Sequence, residues 1–320
     1  MLIFALDMKV GIIGGGAAGY FSALSVKKHH PDAVVTIYER SAKVLSKVRI
    51  SGGGRCNVTN ACFDLKKLAS HYPRGENFLK KCFGHFGPKD TMEWFESRGV
   101  KMKVYPDNHV FPLSNSSESI IDCFQEEARK LGVVVKTNTS ISAAVPTGEG
   151  FEIQGRDETF YADKVIVTIG GQPKRSGLEW MEALSHTIVD PVPSLFTFNM
   201  PGNPITELLG NVVEETTVKI EGTKLVGKGP LLITHWGMSG PAILQLSAWG
   251  ARILEEKKYK FHFVVNWLNE LKEEELRNRL VKIQSENKAK KLVNVNPFPM
   301  TNRLWAHLLE RAGFSEESRW

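Results

Sequence analysis

Apolar residues dominate Val10-Gly-Ile-Ile13 and again Val34-Val-Thr-Ile-Tyr38, and Ala17–His30 between them, opening at a glycine-rich turn, is expected to form a helix. Short apolar runs of this kind suit strands buried on both faces, and a helix joining two of them makes a βαβ unit. Pro88–Arg98 then reads as a helix stopped by Gly99. Asn115 with Glu118 three residues on reads as the cap of another, running to Leu131 with Gly132 beyond. Tyr105–Ser114 between them is expected to be an irregular loop or a hairpin. Short strands are expected at Val133–Lys136, Ile141–Val145 and Phe151–Gln154, with a turn at Pro146–Gly150. Thr159–Ala162 leads into Lys164-Val-Ile-Val-Thr-Ile169, which has the character of a buried parallel strand ending at Gly170-Gly171.

From about Asp190 the texture changes. Pro191, Pro193, Pro201 and Pro204 interrupt the chain, and Val212–Ile220 and Leu231–Thr234 predict a small β-rich unit. Pro241 sits where a helix to Glu256 would begin. Leu268, Leu271, Leu276, Leu280 and Ile283 follow at roughly helical spacing in a charged segment, which is most simply core packing. Two domains are expected, residues 1–190 and 191–320, with no internal repeat.

The first turn carries the chemistry. Gly14-x-Gly16-x-x-Gly19 joins strand to helix, and Glu39 ends the second strand twenty residues past Gly19. In a dinucleotide-binding βαβ unit the first glycine allows the tight turn, the second lets a pyrophosphate approach the backbone, and the third lets helix and strand pack closely. The phosphates then lie at a helix N-terminus, against Gly15, Ala17 and Ala18 as well, where unpaired N–H groups and the helix dipole favour an anion. Glu39 would accept from ribose hydroxyls. A second glycine-dense loop, Ser51-Gly-Gly-Gly-Arg-Cys-Asn57, offers the N–H groups of Gly53 and Gly54 as an anion-binding concavity and the planar cation of Arg55. The order of elements fits a flavin-binding α/β domain better than a simple nicotinamide one.

Bulk properties narrow the classes further. A chain of 320 residues with 42% hydrophobic content can bury a substantial core. The net charge of +6 is modest, so a dedicated nucleic-acid surface is not required, and Lys288–Lys291 reads as solvated helix surface. Cys56, Cys62, Cys82 and Cys123 form no CxxC pair and no zinc-ligand spacing, which suits reduced thiols in the cytoplasm and no metal. No apolar stretch is long enough to span a bilayer, and Met1–Leu6 lacks the features of a signal peptide. Met8 is expected to be the natural start, because Lys9 already begins the strand.

Taken together, Gly14–Gly19, Glu39, Lys47, Ser51–Asn60, Val110–Ser114, Ile169-Gly-Gly171 and Leu232–Pro241 resemble the BaiN-like family of bacterial FAD-dependent oxidoreductases. The resemblance covers nearly the whole chain. It implies a Rossmann-like α/β FAD-binding domain with an inserted β-barrel-like and helical domain that covers the flavin. It also implies that Gly14, Gly15, Gly16, Ala17, Ala18 and Gly19 approach the FAD pyrophosphate, that Glu39 and Arg40 meet the adenosine end, and that Lys47 with Gly53, Gly54, Arg55, Cys56 and Asn57 lies along the cofactor. Gly170 would flank it. The substrate implied is a small molecule, with enone-type double bonds among those reduced in the family, and NAD(P)H could reduce the flavin by transient docking.

Two departures qualify that expectation. Family members carry a second glycine-rich segment near the C-terminus, which nothing after Gly250 resembles, so weak or substoichiometric FAD retention is expected. Gln172-Pro-Lys-Arg-Ser-Gly177 also stands where the family tends to have other residues. No catalytic residue is assigned: Cys56 could do redox work beside a flavin but lacks a CxxC partner and suits tight packing better, and His235 could donate a proton or fix its glycine-rich turn. Two rival readings follow, a non-catalytic nucleotide- or partner-binding remnant and a flavoprotein acting on tRNA. A basic, aromatic-lined face would favour the latter.

Overall fold

Lys9–Ile13 forms β1, buried from Val10 onward, and Ala17–His29 forms α1, which returns the chain to β2 (Val34–Tyr38). The computed structural model describes residues 7–269 and 271–320; the expected start at Met8 turns on Met1–Leu6, outside the described residues. A short α2 (Ser46–Ile50) and β3 (Thr59–Asn60) lead to the helices α3 (Leu65–Ser70), α4 (Glu76–His85) and α5 (Pro88–Glu96). The hairpin of β4 (Met102–Val104) and β5 (His109–Pro112) precedes α6 (Glu118–Lys130) and β6 (Val134–Lys136). A meander, β7 (Ile141–Thr147), β8 (Gly150–Gly155) and β9 (Thr159–Ala162), hands the chain to β10 (Lys164–Val167).

The parallel sheet has the order β10-β1-β2-β6. β1 is central because its side chains can be buried on both faces. On one face Tyr20, Ala23 and Leu24 of α1 meet Ile120, Ile121 and Phe124 of α6 in one core. Trp94 of α5 joins that core, its ring 5.4 Å from both Phe21 and Phe124. On the other, Tyr38 packs with Ile153 and Ala162 of the meander.

Several expectations need correction. The run at 133–136 belongs to the parallel sheet beside β2 and not to the meander. β10 is shorter than the run that predicted it and only half-buried, as the outermost strand of its sheet. Pro146 and Thr147 continue β7, so the turn is confined to the residues just after them. Pro88 does open α5, but the helix ends at Glu96, with Gly99 in the turn beyond at φ 84°. Asn115 does not cap α6: it sits left-handed at φ 58°, a conformation asparagine tolerates, and donates its N–H to Pro112 O, so the helix begins at Glu118.

Contacts divide the chain into one unit through Pro191 and another from Val192. The second contains β11 (Phe198–Asn199), β12 (Val212–Ile220), β13 (Val226–Thr234), β14 (Gly237–Ser239), α7 (Pro241–Glu256), β15 (Phe263–Asn266), α8 (Glu273–Asn287) and α9 (Asn302–Arg311). Its strands form a curled antiparallel sheet in the order β11-β14-β13-β12-β15. α7 lies on that sheet, with Ile243, Leu246 and Leu254 packed among Val218, Leu231 and Ile233. Gly227 makes the contact possible, since a Cβ there would run into the Ala242 carbonyl. Of the leucine series, Leu268 and Leu271 precede α8, whereas Leu276 and Leu280 lie on it and pack partly against Leu292, Phe298, Trp305 and Leu309. Among the described residues no helix is long and apolar enough to cross a membrane.

Candidate cofactor site

The turn after β1 is pinned from three sides. Gly14 N–H donates to Tyr38 O at 2.8 Å, and Leu45 N–H donates to Gly15 O at 2.9 Å. Thr168, just past β10, has its Oγ1 3.0 Å from Ile13 O and 2.9 Å from Gly14 O, and its single proton can serve one at a time. Gly14 is at φ 114°, where a side chain would be strained and would press on the Thr168 carbonyl. A Cβ on Gly19 would drive into the Gly14 carbonyl. Gly16 is different: nothing lies near the place its Cβ would take, and as the N-cap of α1 it offers no side chain to the helix.

That leaves donors without acceptors. Among the described residues nothing accepts from the N–H groups of Gly16, Ala17 and Ala18, and the two alanines are exposed. Orphan N–H groups at a helix N-terminus suit a phosphate oxygen. Glu39 completes the set. Its Oε2 accepts from Gly15 N–H at 2.8 Å, and its Oε1 from Ser41 N–H at 2.9 Å and Ser41 Oγ–H at 2.5 Å. A carboxylate has about four lone-pair sites, so one remains for a further donor such as a ribose hydroxyl. Partial burial would raise the Glu39 pKa, but the hydrogen bonds from Ser41 and Gly15 and the charge of Arg40 outweigh it and hold the carboxyl below the usual glutamate range.

Gly14, Glu39 and Arg40 line a cavity of 330 Å³ together with Thr139, Gln172 and Trp180. Trp180 and Thr168 carried no motif in the sequence. Trp180 lies in a 3-10 helix, Glu179–Leu184, and only the fold brings it to Glu39.

Lys47, Cys56 and Asn57 meet elsewhere, with Ala17 and Ala18, in a largely apolar cavity of 480 Å³ that also contains Phe21 and Trp94. Lys47 Nζ reaches the Gly170 turn, 3.4 Å from where a Cβ on that glycine would stand. Gly170 is at φ 71°, so it too favours glycine. In the second glycine loop Gly52, Gly53 and Gly54 are all left-handed, and the last two face open space. Arg55 turns back on that loop: its guanidinium lies 4.4 Å from the centre of the Phe111 ring and its Nε–H donates to Gly52 O at 3.2 Å. These two contacts clamp the loop and leave the terminal N–H groups of the guanidinium pointing away from both. Cys56 is 7% exposed, and burial raises its thiol pKa against the pull of a hydrogen bond with Ser51. His235 is exposed in the turn after β13, its ring edge-on to Trp236 at 4.3 Å.

Unpaired N–H groups, an open approach at Gly16 and a carboxylate with a free lone pair together suit an adenine dinucleotide. Comparison with known proteins narrows the kind. Residues 8–218 match the HI0933-like protein Rossmann domain, and residues 192–320 match the HI0933-like protein barrel and H2TH domain. The chain belongs to the HI0933-like family. This is a family of FAD-dependent oxidoreductases, and FAD is the cofactor of its Rossmann domain. Among curated proteins, the HI0933-like chain is 27% identical over 277 residues to the 3-dehydro-bile acid delta(4,6)-reductase of Clostridium scindens, covering 84% of this chain and 66% of that one. It is also 27% identical over 249 residues to the ribosomal RNA dihydrouridine synthase of Haemophilus influenzae, covering 74% of this chain and 60% of that one. The chain therefore spans under two thirds of the length of these relatives.

Proposed function

We propose that this chain is a cytoplasmic reductase that uses FAD, with NAD(P)H as reductant, to saturate a carbon–carbon double bond conjugated with a carbonyl. The unit through Pro191 is assigned to the cofactor and the unit from Val192 to the substrate. The names of the two relatives share this chemistry. A 3-oxo group activates the 4,6 double bonds of a bile acid, and the C4 carbonyl of uracil activates the C5=C6 bond whose reduction gives dihydrouridine. In each case the carbon remote from the carbonyl takes a hydride and its neighbour takes a proton.

FAD, when bound, supplies the hydride carrier. The chain supplies position and environment. In this reading the N–H groups of Gly16, Ala17 and Ala18 hold the diphosphate, with Gly14, Gly15 and Gly19 shaping the turn beneath it. Glu39 holds the adenosine ribose and Arg40 lies beside it. Lys47 places a cation against the Gly170 turn, and Gly53, Gly54, Arg55, Cys56 and Asn57 form the loop along the cofactor. Arg55 stiffens the loop by stacking on Phe111, and the N–H groups at the edge of its guanidinium stay available to an anion.

The observation that carries the proposal is the set of unaccepted N–H groups beside a carboxylate with one lone pair free. FAD and ADP should compete for one site, and the bound flavin bands should bleach under anaerobic NADH or NADPH. FAD binding that ADP does not displace would refute the site. A bound flavin that neither nicotinamide reduces would refute the reductant.

A further inference from the structure

α8 leans on its neighbours without sealing against them. None of its fifteen residues is buried, although Leu276 and Leu280 pack partly against Leu292, Trp305 and Leu309. The space between is a largely apolar cavity of 530 Å³, within the range of about 300–1,000 Å³ that small molecules occupy. Hydrogen bonds hold another of its walls in place. Leu292 N–H donates to Ser318 O at 2.9 Å and Trp320 N–H donates to Lys290 O at 3.2 Å, so residues 318–320 run back beside 290–292. That brings the Trp320 ring onto Trp305, with centres 6.2 Å apart and planes within 14° of parallel. Trp305 is itself fixed, its Nε1–H donating to Leu292 O at 2.9 Å.

The polar groups around this cavity are unevenly matched. Trp320 Nε1–H is buried with no acceptor among the described residues. Arg277 has Glu273 as its partner at 3.8 Å. Arg319 also lines the cavity, and it donates one Nη1–H to Ala289 O at 3.1 Å but forms no ion pair among the described residues. The nearby carboxylate of Glu317 is engaged by Lys291 Nζ at 2.6 Å. A guanidinium has five N–H donors, so Arg319 keeps both its charge and most of its hydrogen-bonding capacity.

An apolar cavity with one unneutralised guanidinium in its wall suits an amphiphile, with an alkyl chain among the leucines and an anionic head on the cation. A protein partner would need a wider surface. It takes about 800 Å², and of the large apolar side chains at this cavity only Val281 and Phe314 are exposed. We propose that the α8–α9 cleft binds a free alkyl carboxylate, its chain between Leu276, Leu280 and Leu309 and its carboxylate on Arg319. These residues all lie in the unit from Val192. Binding here needs neither flavin nor nicotinamide, so it stands or falls apart from the reductase reading.

The test is isothermal titration of the full chain with sodium decanoate, kept below its micellar concentration, and with decan-1-ol as the uncharged counterpart. Saturable binding of decanoate to a single site is expected. Arg319→Gln should weaken it at least about tenfold, the worth of a hydrogen bond to a charged group, and Arg319→Lys should recover most of that loss. Decan-1-ol should bind at least about tenfold more weakly than decanoate for the same reason. Val281→Glu sets a like charge at the exposed edge of the cavity and should weaken decanoate further still. Both substituted positions are exposed, and circular dichroism verifies that each variant is folded. Absence of saturable binding overturns the proposal, as does binding indifferent to Arg319→Gln or equal binding of the alcohol. So does decanoate binding that ADP displaces, which would place the ligand at the cofactor turn, or binding to phosphatidylserine vesicles without binding of decanoate.

Discussion

Glu39 Oε2 accepts a hydrogen bond from Gly15 N–H at 2.8 Å, so the acid that ends β2 is tied to the turn that follows β1. The bond fixes the carboxylate beside the helix N-terminus before any ligand arrives, and Ser41 occupies its other oxygen. Glu39→Gln keeps one accepting oxygen but replaces the other with an NH2 group that cannot accept from these donors. A hydrogen bond to a charged group is worth roughly 1.5–3 kcal/mol, so ADP and FAD affinity should fall by about ten- to a hundredfold in isothermal titration. Unchanged affinity would remove Glu39 from the site.

The same carboxylate sets a pH dependence. Its pKa is held below the usual glutamate range in the folded chain. A group depressed on folding contributes stability that is present above its unfolded value, about 4.3 for glutamate, and is lost as pH falls through the folded value. Acid unfolding of wild type and Glu39→Gln should therefore converge at low pH and differ above about pH 5. Curves that remain parallel throughout would show that the ionised form makes no special contribution.

Gly19 and Gly16 of the turn should fail in two distinct ways. Gly19→Ala forces a methyl group into the Gly14 carbonyl, an overpacking cost of about 1–3 kcal/mol or more, so the variant should melt several degrees lower or not fold. Gly16→Ala meets open space and a backbone at φ −86° that any residue accepts. Its melting temperature should stay within a few degrees of wild type while FAD and ADP affinity drop at least tenfold, because the methyl stands where the diphosphate approaches. Loss of fold in Gly16→Ala, or retention of affinity, would contradict that assignment.

Trp180 gives the adenosine end a spectroscopic reporter. It lines the cavity with Glu39 and Arg40 and is one of seven tryptophans. ADP should change tryptophan emission in wild type, with a saturation matching its binding curve, and Trp180→Phe should abolish the change. A signal that survives the substitution would put the nucleotide elsewhere.

How far the residues alone foretold this arrangement varies with the range of the interactions. The βαβ unit was legible because its signals are local: apolar strands, glycines at fixed spacing, an acid at the strand end. Pro241 likewise announced α7, since a proline at the first turn loses no hydrogen bond. The placement of 133–136 was not legible, because an isolated apolar triplet does not say which sheet it will join, and pairing with β2 is settled by packing. Asn115 misled for a related reason: its side chain suits a helix cap and a left-handed turn equally, and here it takes the turn, with its N–H donated to Pro112 O. Thr168 reaches the turn through a hydrogen bond to Gly14 O across 154 positions, and Trp180 shares a cavity with Glu39 and Arg40, which no spacing rule records.

Cysteine reactivity separates packing from redox chemistry at Cys56. Burial raises its pKa, and burial together with the neighbouring Glu127 raises that of Cys123 to about 11, so few thiolates form at either site near neutrality. Cys62 and Cys82 are partly exposed. Alkylation by iodoacetamide at about pH 8, followed by peptide mass spectrometry, should label Cys62 and Cys82 well before Cys56 and Cys123. Cys56→Ala should retain FAD binding and reduction by NAD(P)H, because a thiol held neutral in a closed loop is neither a good nucleophile nor a redox partner. Early labelling of Cys56 would mean that its loop opens in solution, and loss of flavin reduction in Cys56→Ala with FAD still bound would return the thiol to the chemistry.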